Sequence, residues 1–347
     1  MPFLLALFSL AACDGTQTST TPTTAEPGGA ETAPKSGETR TLTLAGYTTP
    51  REAYGEAILP AFQAEWKKKT GQDVGFEASY QGSGAQARAV KEGLEADVVA
   101  LSLEPDVQVL EDAGLITHDW RASSNGGIVT RSIAVIAVRP GNPKGIKDWT
   151  DLAKPGVEVL TPNVKTSGGA MWNVLAIWGA GVNGNAGVQK DDKAGAQKLL
   201  GDILKNVKVM DKGARESIVT FEKGVGDAAI TYENEVLVAR KEGQQMDYVV
   251  PPSTILIENP IAVVDTYAKK HGNEDLANAF VTFVMTKDAQ DAYAKYGLRP
   301  VLEESVPKDL PAVEHLFTIK DLGGSPAMKK EVFAEGGVYD LAVGSGT

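Results

Sequence analysis

The stretch Pro162-Asn163-Val164-Lys165-Thr166-Ser167-Gly168-Gly169-Ala170-Met171-Trp172-Asn173 decides how this chain is read. It runs from a strand end through a small Ser-Gly-Gly turn into the opening of a helix. The first amides of a helix have no partner within it and stand at the positive end of its dipole. A turn of this kind is therefore a ready anion site. Gln81-Gly82-Ser83-Gly84 and Lys212-Gly213-Ala214-Arg215 repeat the arrangement elsewhere. All three turns follow segments that read as strands, so the expectation is that they converge on one small anion.

The chain has 347 residues, 42% of them apolar, which suffices for a core and for about two domains. Its formal net charge of -11 argues against nucleic acid, whose binding needs a basic footprint. A small-anion site is still compatible with that charge, because local dipoles set its potential.

The single cysteine, Cys13, ends a short apolar run from Phe3, and Leu10-Ala11-Ala12-Cys13 resembles a bacterial lipobox. That implies cleavage before Cys13 and lipid attachment to it, with residues 1–12 as a lipoprotein signal peptide. The run is far shorter than the roughly 20 residues of a membrane-spanning helix. Residues 13–38, rich in Thr, Pro, Ala, Glu and Gly, read as a disordered tether. The chain would then meet the membrane through its lipid anchor alone.

From Thr41 onward strands and helices alternate. Thr41–Tyr47 is an alternating strand. The helix Pro50–Thr70 carries Tyr54, Ile58, Phe62 and Trp66 on one face and stops at Gly71. Strands follow at 74–78, 96–101, 132–139, 157–161, 207–210, 227–232, 248–250 and 260–264. Helices are expected at 83–94, 106–113, 194–204, 233–241, 273–286 and 287–296. This order predicts an α/β protein of mainly parallel sheets flanked by helices, with ligand at the carboxyl ends of the strands.

Several blocks together resemble the sulfate/thiosulfate-binding family of ABC-transporter periplasmic solute-binding proteins. They include Gly82-Ser83-Gly84 with Gln86-Ala87-Arg88-Ala89-Val90, Gly93 to Val99, Arg139-Pro-Gly-Asn-Pro-Lys-Gly-Ile-Lys-Asp-Trp149, and Lys165-Thr-Ser-Gly-Gly-Ala170. Gly213-Ala214-Arg215, Glu233-Asn234-Glu235 and Gly336-Gly337 continue the series in order. The resemblance implies a two-lobe, type II periplasmic-binding-protein fold with a hinge between lobes. On that pattern 39–122 and 251–300 form lobe I, 123–250 forms lobe II, and 301–347 is a C-terminal helical segment packing across both. It implies capture of sulfate or thiosulfate by uncharged donors, delivery to the transmembrane subunits of an ABC permease, a monomer, and a place on the extracytoplasmic face of the membrane, with no cofactor and no metal.

The donors implied by matching position are Ser83, Ser167, Gly168, Gly169 and Ala214, each charge-assisted bond contributing on the order of 1.5–3 kcal/mol. Two positions depart from the family pattern. Thr48 stands where an acidic residue is usual, lining the cleft or capping the helix that follows. Tyr232 stands where the family has a tryptophan. An indole only donates, whereas a phenol can also accept, so hydrogen phosphate is the alternative ligand, followed by molybdate or tungstate. Arg215 is expected behind the site, paired with an acidic residue such as Asp97. Trp149, Trp172 and Trp178 read as core, and Lys67 to Lys69 as a solvated helix end. A hydrolase reading is weak: His118, His271 and His315 have no metal-ligand spacing, and no motif ties a base to Ser167. Proline at Gly168 is expected to delete an amide donor and leave the fold intact.

Overall fold

A computed structural model describes residues 39–344, so the lipobox at Cys13, the tether and the last three residues lie outside the described residues. The strands are β1 (Arg40–Tyr47), β2 (Val74–Gln81), β3 (Val98–Ala100), β4 (Ile128–Val138), β5 (Val159–Pro162), β6 (Val207–Asp211), β7 (Ala228–Tyr232), β8 (Asp247–Val249) and β9 (Ser253–Val263). They form one curled sheet in the order β2-β1-β3-β9-β4-β7-β5-β6. At one end β1 pairs in parallel with β2 and β3, and at the other β5 pairs in parallel with β6 and β7. The parallel halves meet through two eleven-residue strands, β4 and β9. These pair antiparallel with each other, and β9 joins β3 while β4 joins β7. The sheet is thus parallel within each half and antiparallel at the junction.

Burial on both faces explains why β4 reads as an unbroken apolar run. Ala134, Ile136 and Val138 enter one core cluster, while Ile133, Val135 and Ala137 enter another on the opposite face. Both β4 and β9 begin earlier than their apolar segments suggest, at Ile128 and Ser253, because edge pairing with Arg299–Pro300 and His315–Phe317 extends them.

The first long helix differs from expectation in an instructive way. Tyr54, Ile58, Phe62 and Trp66 are all buried. A four-residue step needs a wider turn than the 3.6 residues of an α-helix. The chain supplies it with a π-helical segment, Tyr54–Ile58, between Arg51–Ala53 and Leu59–Thr70. Phe62 thereby packs against Phe280 and Phe283, with ring centroids 5.1 and 5.4 Å away. Burying such a ring contributes about 2 kcal/mol. Trp149, Trp172 and Trp178 lie in the core as expected, and Asp265–His271 is a helix that the apolar pattern did not reveal.

The segment after Arg299–Pro300 is not purely helical, since His315–Phe317 adds a strand to β9. It touches both halves. Ser325 Oγ donates to Glu104 Oε2 at 2.7 Å, and the Lys193 ammonium pairs with Glu331 at 2.5 Å. Phe317 and Leu322 press on Gly179 so closely that an added Cβ would stand 2.4 Å from Phe317 Cε2.

At the amino end of β3, Asp97 is buried and holds three elements. One oxygen accepts from the Thr43 amide at 2.8 Å and from Asn273 Nδ2 at 3.1 Å. The other lies 2.8 Å from His271 Nδ1, whose Nε2 is 3.1 Å from Glu95. Burial alone would push the His271 imidazolium down, but the Asp97 and Glu95 carboxylates outweigh it and hold its pKa above the ordinary value. A histidine raised in the folded state stabilises fully below its unfolded pKa, near 6.5, and loses that contribution as pH rises through the folded value. Thermal melts from pH 5.5 to 8.5 should therefore show His271→Ala destabilised most at the acid end, the gap to the unmodified protein closing above neutrality.

Candidate functional site

The six strands β1, β2, β3, β5, β6 and β7 deliver their carboxyl ends to one place. Thr48 follows β1, Gly82-Ser83 follows β2, Ser102 lies just beyond β3, Ser167 follows β5, Gly213-Ala214 follows β6, and Tyr232 ends β7. The three glycine-bearing turns do converge. A Cβ built on Gly82 would stand 2.4 Å from the Thr166 carbonyl oxygen and 2.8 Å from that of Lys212. Only glycine permits that approach, because both obstructing atoms belong to backbone. Thr166 Oγ1 donates to the Lys212 carbonyl at 2.8 Å, the Ala85 amide to the Thr166 carbonyl at 3.3 Å, and Arg88 Nη2 to the Lys165 carbonyl at 3.0 Å.

Three helices start at these turns: Ser83–Lys91, Gly168–Val182 and Ala214–Glu222. The amides of Ser83, Gly84, Gly168, Gly169, Ala214 and Arg215 lie in first turns, where the helices offer them no carbonyl. Ser167 caps its own helix, its Oγ accepting from the Ala170 amide at 3.4 Å, and keeps its hydroxyl hydrogen for another acceptor. Thr48 does not cap the helix after it. Its Oγ1 faces the third turn, 3.2 Å from where a Cβ on Gly213 would stand.

Ser102, which the sequence reading passed over, ties the donors together. Its amide donates to Ser83 Oγ at 2.9 Å, and its carbonyl accepts from Trp172 Nε1 at 2.9 Å and Asn259 Nδ2 at 3.0 Å. Its hydroxyl lies 2.6 Å from the Tyr232 phenol, both groups fully buried. Burial pushes the Tyr232 phenol far above its usual pKa, so it stays neutral. A Cβ on Gly169 would stand 2.9 Å from Tyr232 Cε2 and 3.1 Å from Ala214 Cβ. A Cβ on Gly168 would stand 2.5 Å from Ser102 Oγ and 3.0 Å from Leu103 Cδ1. Proline at 168 would therefore collide with Ser102 and Leu103 as well as lose an amide, and the expectation of an intact fold is corrected.

Charged groups stand behind this ring of donors. Ser83 Oγ donates to the buried Asp106 Oδ2 at 2.5 Å. Burial pushes the Asp106 carboxyl up to about 6, the Ser83 hydrogen bond and the more distant Arg88 and Lys329 only partly opposing it. The expected pairing of Arg215 with Asp97 does not occur, because Asp97 sits at the opposite end of β3 with His271. Arg215 Nη2 instead donates to Glu52 at 2.8 Å, across from the first helix, and Arg215 Nε lies 3.1 Å from Glu235 Oε2 without aiming its N–H at it. Glu235 is fully buried, and burial pushes its carboxyl up to about 7 against the pull of Arg215 and Thr49. Glu235 opens with Glu233 and Asn234 the helix Glu233–Lys241, and the Glu233 carboxylate is held by Arg299 at 2.7 Å.

Residues 42–299 match the family model described as bacterial extracellular solute-binding protein. The chain is 48% identical over 310 residues to the sulfate-binding protein of Synechococcus elongatus, covering 88% of this chain and 87% of that one. It is 37% identical over 315 residues to the thiosulfate-binding protein of Escherichia coli, covering 88% and 91%. The solved structure of the sulfate-binding protein SubI from Mycobacterium tuberculosis H37Rv superposes with a TM-score of 0.78 at 36% identity, covering 85% of this chain and all of that one.

Replacing Arg215 by Met should leave the buried Glu235 carboxylate without its cation, at a cost on the order of 3 kcal/mol near pH 8. A carboxyl raised in the folded state is tolerated while protonated, so the loss should shrink toward pH 5.5. Denaturant titrations at the two pH values read both the loss and its pH dependence.

Proposed function

The chain belongs to the family of bacterial extracellular solute-binding proteins, and from that premise we propose that it captures sulfate, or thiosulfate, outside the cytoplasmic membrane and delivers it to an ABC permease. The observation that carries this reading is the meeting of three glycine turns, with Gly82 packed on the Thr166 and Lys212 carbonyls. First-turn amides from three helices then face one small volume. Ser167, the Gly168 and Gly169 amides, the Ala214 amide, Thr48 and the Tyr232 phenol supply the remaining donors, and Ser83 adds its amide. A dianion stripped of water is stabilised there by dipoles, with no cation required against it.

The proposed mechanism treats the halves joined by β4 and β9 as two lobes, 39–122 with 251–300, and 123–250. Turns from both supply donors, so ligand energy shifts an open–closed balance toward the closed form. The Arg215–Glu52 pair, joining the helix after the third turn to the first helix, would fasten that form. The protein acts as a monomeric carrier and not as an enzyme. Cys13, in its lipobox, would hold it by a lipid on the extracytoplasmic face of the membrane.

A second reading, hydrogen phosphate, is favoured by one feature. The buried Ser102–Tyr232 hydroxyl pair can accept a ligand proton as well as donate, which an indole could not do.

Titration calorimetry with sulfate, thiosulfate and phosphate tests both readings. Sulfate or thiosulfate should bind and phosphate should bind more weakly, and small-angle scattering should show a smaller radius of gyration with sulfate. Tyr232→Trp should abolish any phosphate binding and retain sulfate. Absence of sulfate and thiosulfate binding, or binding without compaction, would count against the clamp.

A further inference from the structure

The Ser102–Tyr232 pair holds two hydroxyl hydrogens and one bond between them. The oxygens stand 2.6 Å apart, both residues are fully buried, and neither hydroxyl has a second partner among the described residues. One hydrogen closes the bond. The other is left without an acceptor, a condition that buried O–H groups rarely keep.

The neighbouring side chains do not take it. Asn259 spends its Oδ1 on the Thr130 hydroxyl at 3.3 Å and turns its Nδ2 to the Ser102 carbonyl at 3.0 Å, so it faces the pair with hydrogens. The Tyr47 ring lies beside the phenol, with centroids 6.2 Å apart, but its hydroxyl bonds to neither member. Ser83 Oγ already accepts from the Ser102 amide and donates to Asp106.

Elementary acidity sets the order within the pair. A phenol is a much stronger acid than an aliphatic alcohol, and so the better donor. Burial keeps the Tyr232 phenol neutral, so its hydrogen is always present. Tyr232 therefore donates to Ser102 Oγ, and the serine keeps the free hydrogen. Ser102 Oγ lies against the first residue of the helix Gly168–Val182, 2.5 Å from where a Cβ on Gly168 would stand. The phenol lies one residue further on, its Cε2 2.9 Å from a Cβ on Gly169. These are the two glycines whose first-turn amides serve the proposed anion site.

We propose that Ser102 is a direct ligand of the captured anion, and that Tyr232 acts through it as a positioning residue. The phenol spends its hydrogen on Ser102 Oγ, and Ser102 turns its own to an anion oxygen. Accepting from the phenol polarises the serine O–H and strengthens the second bond. No titrating group takes part, so this contribution does not vary across the neutral range. The proposal rests on the anion-capture reading above and refines the phenol's part in it.

A crystal structure of the sulfate complex and titration calorimetry on variants test it. In the crystal, Ser102 Oγ should stand within about 3 Å of a sulfate oxygen, and Tyr232 Oη should reach Ser102 only. Ser102→Ala should weaken sulfate binding roughly tenfold to hundredfold, the loss of one charge-assisted bond. Tyr232→Phe leaves the serine its hydrogen and should weaken binding less than about fivefold. The double variant should bind about as weakly as Ser102→Ala, because the phenol acts only through the serine. Circular dichroism of the empty variants separates these losses from failure to fold, and the crystal of the unmodified protein decides if a variant does not fold. A complex in which Ser102 Oγ stays clear of the anion, or in which Tyr232 Oη holds it, overturns the proposal. Unchanged affinity in Ser102→Ala, or a larger loss in Tyr232→Phe, does the same. In each of those outcomes sulfate still binds and the anion reading stands. Failure of sulfate and thiosulfate to bind at all overturns both readings together.

Discussion

The contact of the Gly82 backbone with the Thr166 and Lys212 carbonyls is the constraint on which the site depends. A single added carbon would stand 2.4 Å from one oxygen and 2.8 Å from the other, and neither can step aside, because each belongs to a turn fixed by its own strand. The three helix starts are useful together only at this spacing. The curled sheet exists to provide it. Its two parallel halves point their carboxyl ends toward each other because β4 and β9 run antiparallel through the junction.

Charge is managed by distance. The first ring around the convergence is made of amides and hydroxyls: Gly168, Gly169, Ala214, Ser102, Ser167 and Tyr232. Ionisable groups stand one layer further out, and each has a partner that limits its field. Arg215 lies between Glu52 and Glu235, and Asp106 holds Ser83. A neutral first ring with the charges set behind it is the arrangement that the proposed anion capture calls for. The same separation keeps the His271–Asp97 pair, at the far end of β3, concerned with stability.

The chain is similar over most of its length to the sulfate-binding protein of Synechococcus elongatus and to the solved SubI structure. The Tyr232 phenol pairs with the Ser102 hydroxyl, and the Thr48 hydroxyl faces the third turn.

Local chemistry was legible in the sequence. Ser-Gly-Gly before a helix implies unpaired amides, alternation of strand and helix implies a sheet with helices on both faces, and the indoles of Trp149 and Trp172 read as core because they sit in apolar patterns. Those inferences need only neighbours a few residues apart. Contacts between distant residues were not legible. Ser102 meets Tyr232 across 130 positions, and Asp106 meets Ser83 across 23, and neither residue is marked by any short motif. Asp106 looks like an ordinary acidic residue in a helix first turn, and Arg215 has many carboxylates to choose from along the chain. The π-helical turn at Tyr54–Ile58 was likewise decided by packing, since the aromatic face had to stay on Phe280 and Phe283. Residue order thus determined which groups could donate. Tertiary structure decided which of them share one volume and which donor's hydrogen is already taken, because those outcomes depend on how the two halves of the sheet are joined.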